Sequence, residues 1–141
     1  MDSILTLHVA GTFLSTMATG VMVFFSLILA PALFRRLGRE RAGDMLHHLF
    51  PPYHKTVAVM AVLSALSLYV YRIEALFLAT AAGLAILQLV LILPKTARLR
   101  LAAREDETAR AAFGRLHAIS MVLNLTSLLL LAGVSLRLLA A

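Results

Sequence analysis

The chain of 141 residues contains no cysteine, which excludes disulfides, thiolate zinc sites and iron–sulfur clusters held by this chain alone. Charge is scarce too. Asp, Glu, Lys and Arg make up 14% of the residues, too few to cover the surface of a soluble domain of this size. No carboxylate falls inside the long apolar runs, and the chain has neither a Ser-His-acid set at a common depth nor a glycine-rich phosphate loop. The usual templates for hydrolysis and nucleotide chemistry therefore have no residues to work with. Proton-coupled carriage ordinarily needs an intramembrane acid or base, and only His8 and His117 offer one.

What is present is apolar: 61% hydrophobic residues and a mean hydropathy of +0.91. Roughly 20 such residues cross a bilayer as a helix, which satisfies its own backbone where water is absent. Four stretches meet that length, at about 4–33, 54–71, 75–93 and 117–138. They predict an all-α integral membrane protein, a single domain over 1–141 folded as an up-down four-helix transmembrane bundle. Only Asp2 and no basic residue precedes the first stretch. It therefore reads as a retained span and not a signal peptide, although Ala30-Pro31-Ala32 mimics a cleavage site.

The formal charge of +6 is concentrated in two places. Arg35, Arg36, Arg39, Arg41 and Lys55 lie between the first and second spans, and Lys95, Arg98, Arg100, Arg104, Arg110 and Arg115 between the third and fourth. The positive-inside rule makes both connections cytoplasmic, as in a bacterial inner membrane, and puts both termini and the Tyr71-Arg72-Ile73-Glu74 turn outside. A basic inner rim follows from topology and attracts anionic lipids, so it implies a bilayer partner and no nucleic acid.

The connections carry structure of their own. Between Pro31 and Pro51-Pro52, Ala42, Met45, Leu46, Leu49 and Phe50 recur at helical spacing opposite Arg39, Glu40, Arg41 and Asp44. This predicts a short interfacial amphipathic helix over 38–50, between spans 1 and 2. Beyond the third span, Asp106 is placed to cap a helix that enters lipid near His117.

Residues three, four and seven apart share a helix face. His117, Ser120, Asn124 and Ser127 do so on the fourth span, and His8, Thr12, Ser15, Thr19, Met22 and Ser26 on the first. Tyr53, Val57, Met60, Ser64, Ser67 and Tyr71 line up on the second, and Gln88 stands alone on the third. Asn124, Gln88 and Ser26 each lie about 10 Å inward of the cytoplasmic end of their span. They predict a hydrogen-bonded layer of Ser26, Gln88 and Asn124, with Ser64 near it, within a buried polar seam.

Of the five histidines, His8 is outside and His47, His48, His54 and His117 are at the inner rim, about 35 Å away along a helix. His54 and His117 with one of His47 or His48 form a candidate divalent-metal or haem site; adjacent His47 and His48 point about 100° apart and cannot share an ion. Gly11 with Ser15, Thr16 with Gly20, and Ala79 with Gly83 permit close helix approach, within the bundle or in a homo-oligomer. Three functions are compatible with this pattern. The seam binds or passes a small solute or metal, or the histidines hold a haem or metal redox centre, or the chain is a non-catalytic accessory subunit whose stripes only hold helices together.

Several motifs carry a family likeness. The Leu7-His8 pair, Ala30-Pro31-Ala32-Leu33-Phe34, Phe50-Pro51 with Tyr53, and Phe113-Gly114-Arg115-Leu116-His117 followed by Asn124 resemble the transmembrane-protein-205-like family. That resemblance covers nearly the whole chain. It implies four spans and an unassigned activity, with transport suggested by the connection of eukaryotic relatives to metal-drug resistance. The histidine of the first span is also distantly similar to that of copper-resistance-D-like membrane proteins, which implies His8 as a haem or metal ligand. The chain departs from that pattern in having "TFLSTMATG" where tryptophan-bearing residues are expected, and it has no tryptophan at all.

Overall fold

The computed structural model describes residues 2–140, and among them every regular element is helical. The elements are α1 (Asp2–Val23), a π-helical segment Phe24–Leu29, α2 (Ala30–Ser67), α3 (Arg72–Leu87), a second π-helical segment Gln88–Ile92, α4 (Leu93–Ala102) and α5 (Glu107–Leu139). Three continuous helical stretches, Ser3–Ser67, Arg72–Ala102 and Glu107–Leu139, are long and apolar enough to cross a membrane. Large apolar side chains such as Phe13, Leu27, Leu66, Leu125 and Leu129 are exposed all round the molecule, a surface that only an apolar solvent tolerates. The protein is an all-helical integral membrane protein.

The first of these stretches is not one straight rod. Its 65 residues would extend about 98 Å, yet the Ser64 hydroxyl donates to the Gly11 carbonyl at 2.7 Å. The reversal occurs at Gly38, where φ of 74° and ψ of 172° interrupt the helix in a region that side chains with a Cβ rarely enter. Beyond Gly38 the chain runs back along α1, so the described residues form four helical rods, 3–37, 39–67, 72–102 and 107–139.

Past Gly38 the helix continues through Pro51-Pro52 to Ser67 with no break between residues 38–50 and those from 54 onward. Each proline removes a backbone hydrogen bond. Packing compensates: Ala42, Leu46, Tyr53, Val57, Ala61, Ser64 and Leu68 form one buried line across the prolines, and a break would turn half of it away from α1. The Leu68–Tyr71 turn then precedes α3, so Arg72, Ile73 and Glu74 are helical and not part of the expected turn.

Pro31 and Pro94 do not end their helices either. Each is the second residue after a π-helical segment: the Ala30 N–H bonds to the Phe25 carbonyl and the Leu93 N–H to the Gln88 carbonyl, five residues back. The residue inserted by each π turn relieves the clash between a proline ring and the preceding turn. The third and fourth rods meet at a tight turn closed by Asp106, whose carboxylate accepts from the Thr108 amide at 2.8 Å. Hydrogen bonds from the Thr108 hydroxyl and amide hold that carboxyl below its ordinary range.

Ion pairs fasten both ends. At the basic end Arg100 pairs with Asp44 and donates to the Gly43 carbonyl at 3.0 Å. At the other, Arg137 meets the buried Glu74 at 2.9 Å. Gly11 packs on Leu68 inside the bundle, whereas Cβ atoms built at Gly20 and Gly83 meet nothing within 4 Å. Of the small-residue pairs, Gly11 with Ser15 serves the bundle, and the Gly20 and Gly83 positions face outward.

Candidate functional site

The polar side chains form two tiers. In the tier nearer the basic end, the Tyr53 hydroxyl donates to Asn124 Oδ1 at 2.9 Å, and Asn124 Nδ2 donates to Ser26 Oγ at 3.5 Å. The Ser120 hydroxyl donates to Gln88 Oε1 at 2.7 Å, one helical turn from Asn124. Ser26, Gln88 and Asn124 are thus gathered at one level as two linked pairs: Ser26 bonds to Asn124, and Gln88 bonds to Ser120 instead of to either of them.

The backbone is irregular at this same level. Ser26 lies in the first π segment, Gln88 opens the second, and Tyr53 follows Pro51-Pro52. A π turn frees main-chain groups and widens the helix, and such turns recur at functional sites. Phe25 stacks on Tyr53 with ring centroids 4.2 Å apart, which fixes the phenol for its bond to Asn124. Gln88 is fully buried and its Nε2 has no hydrogen-bond partner. A buried amide donor left unpaired costs about 1–3 kcal/mol.

The second tier lies toward the opposite end. The Ser135 hydroxyl donates to Ser15 Oγ at 3.2 Å, and Thr19 Oγ1 lies 3.4 Å from Ser135 Oγ. Ser64 lies toward this tier and not near the layer of Ser26, Gln88 and Asn124, where it was expected: its hydroxyl donates to the Gly11 carbonyl. Ser64 is about 18 Å along the helix from Pro52, deeper than Ser26 or Asn124. Thr12 and Ser127 bond to carbonyls of their own helices, those of His8 at 2.8 Å and Leu123 at 3.1 Å.

The histidines do not converge. His54 is buried between the rings of Phe50 and Tyr53. His117 is exposed, stacked on Phe113, so its inward orientation is corrected: although α5 is already packed at Ala109, no neighbouring helix covers the face that His117 occupies. His8 lies at the other end against Tyr71, with its Nδ1 buried and unpartnered. Among the described residues no three His, Asp or Glu side chains are grouped to hold a metal ion.

Two features escaped the sequence reading. Tyr53 is on a stripe but not in the expected layer, because depth counted from Pro52 puts it at the rim; its long phenol is what reaches Asn124. The Glu74–Arg137 pair could have been found by noting that each is the lone carboxylate or lone basic residue at its end of a long apolar run.

A family model described as "Domain of unknown function (DUF4149)" matches residues 13–105. An uncharacterized protein of Aquifex aeolicus (strain VF5) is 33% identical over 118 residues, covering 81% of this chain and 83% of the relative. No solved structure matches.

Proposed function

The chain belongs to the DUF4149 family, and we propose that it is a four-span inner-membrane protein whose polar layer binds a small solute carrying a hydrogen-bond acceptor. The observation that carries this reading is the buried, unpartnered Gln88 Nε2 at a level where two π turns and a proline pair loosen the helices. A satisfied packing amide would have no donor to spare. Passage of the same solute would use the layer as a station in the half of the membrane nearer the basic end.

The fold-back at Gly38 supports the count of four spans. Both basic connections then face the cytoplasm and both termini face away. The narrower kinship with transmembrane-protein-205-like proteins rests on the motifs quoted above, and the link to metal resistance rests on that kinship alone. A haem or metal centre has weaker support, because His8 stands apart from the other four histidines.

The side-chain amide resonances of Gln88, identified by their loss in Gln88→Met, report on binding in lipid nanodiscs. Titration with acetate, chloride, phosphate and acetamide is expected to shift them saturably with one class of probe. If the resonances ignore every probe and Gln88→Met changes stability alone, Gln88 is a packing residue and the solute reading fails.

A further inference from the structure

The outward face of α2 carries a basic stripe apart from the polar seam. Arg41, His48 and Lys55 are exposed and spaced seven residues apart, so they fall on one helix face. Arg41 and Lys55 have no hydrogen-bond or ion-pair partner among the described residues, and His48 touches only the ring of His47. The stripe runs down the membrane: Lys55 is about 16 Å along the helix from Asp44, which pairs with Arg100 at the basic end. Lys95 is only about 8 Å from Arg100, so Lys55 sits deeper than the rest of the basic rim.

Beside the stripe is an apolar groove of about 470 Å³ between the first and second rods, lined by Gly20, Phe24, Leu29, Pro52, Tyr53 and Thr56, among others. Pro52 and Thr56 border both features. A cation at this depth facing acyl chains is costly unless it meets an anion, and the adjoining groove is open to those same chains.

We propose that the Lys55 end of this stripe and the adjoining groove bind one anionic phospholipid of the basic-rim leaflet, its phosphate drawn to Lys55 with His48 one step above and an acyl chain along Gly20 and Phe24. Charge complementarity selects the headgroup; the groove wall, almost wholly apolar, accepts the tail. This site is separate from the Gln88 layer and stands whether or not that layer binds a solute.

The test is lipid retention by the full chain after extraction from nanodiscs holding equal phosphatidylglycerol and phosphatidylcholine, read by native mass spectrometry. The wild type is expected to retain phosphatidylglycerol preferentially, and Lys55→Gln to lower that preference about fivefold, the effect of one basic residue near an anionic surface. Arg98→Gln, which removes an exposed basic residue from α4, is expected to leave it unchanged. Gly20→Leu fills the groove where a Cβ meets nothing, so the fold persists while retention of phosphatidylglycerol falls. Equal retention of the two lipids by the wild type, or equal effects of Lys55→Gln and Arg98→Gln, would overturn the assignment. So would Gly20→Leu converting a dimer to a monomer with lipid retention intact, because the groove would then be a contact between copies of the chain.

Discussion

Replacing Gly11 by alanine is expected to destabilise the protein by about 1–3 kcal/mol, the usual cost of overpacking a filled core. A Cβ at that position would lie 2.5 Å from Leu68 Cγ, and Leu68 is itself fully buried. The backbone of α1 would have to retreat from the second rod, and the Ser64 bond to the Gly11 carbonyl would stretch as it did. Gly83→Ala serves as the comparison, because its added methyl meets nothing and helix propensity favours alanine. Reversible unfolding in mixed micelles measures both. Gly11→Ala and Leu68→Ala together are expected to cost less than the sum of the two single changes, since the second removes the atoms with which the first collides.

The second large effect is expected at the Tyr53–Asn124–Ser26 array. Asn124→Leu removes the acceptor of the Tyr53 hydroxyl and the donor to Ser26, and strands two polar groups, at about 1–3 kcal/mol for a buried one. Tyr53→Phe alone leaves Asn124 able to turn toward Ser26 and should cost less, about 1 kcal/mol. Together they should cost less than the sum, because once Asn124 is leucine the phenol has no partner left to lose. Strict additivity in that double-mutant cycle would mean that the bond contributes nothing to holding the second and fourth rods together.

These two sites show how far the sequence could be read. Periodicity placed Ser26, Gln88, Asn124 and Ser120 on inward faces, and depth counted along each helix brought the first three to one level. It could not decide which side chains pair. That depends on the rotation of each rod and on its register against its neighbours, and a shift of a few residues exchanges Ser120 for Asn124 opposite Gln88. Asp106 was legible as a cap because its partner, Thr108, is two residues away in the same chain. The π segments left no trace in composition, because a hydrogen bond that slips by one residue needs no special side chain. The prolines misled for a related reason: their local cost is fixed, but the buried line from Ala42 to Leu68 that offsets it is a property of packing. His117 shares a face with Asn124, yet the sequence does not say where the neighbouring helices stop covering that face.

Polar groups of separate apolar rods turn toward one another in this protein. Ser15 and Ser135 test this most directly, because their hydroxyl oxygens are 3.2 Å apart on the first and fourth rods and the chain has no cysteine of its own. With Ser15→Cys and Ser135→Cys introduced together, mild oxidation in native membranes is expected to form an intramolecular disulfide, seen as a faster-migrating monomer that reducing agent reverses. A chain that stays uncrosslinked while both thiols react freely with a lipid-soluble maleimide would contradict it.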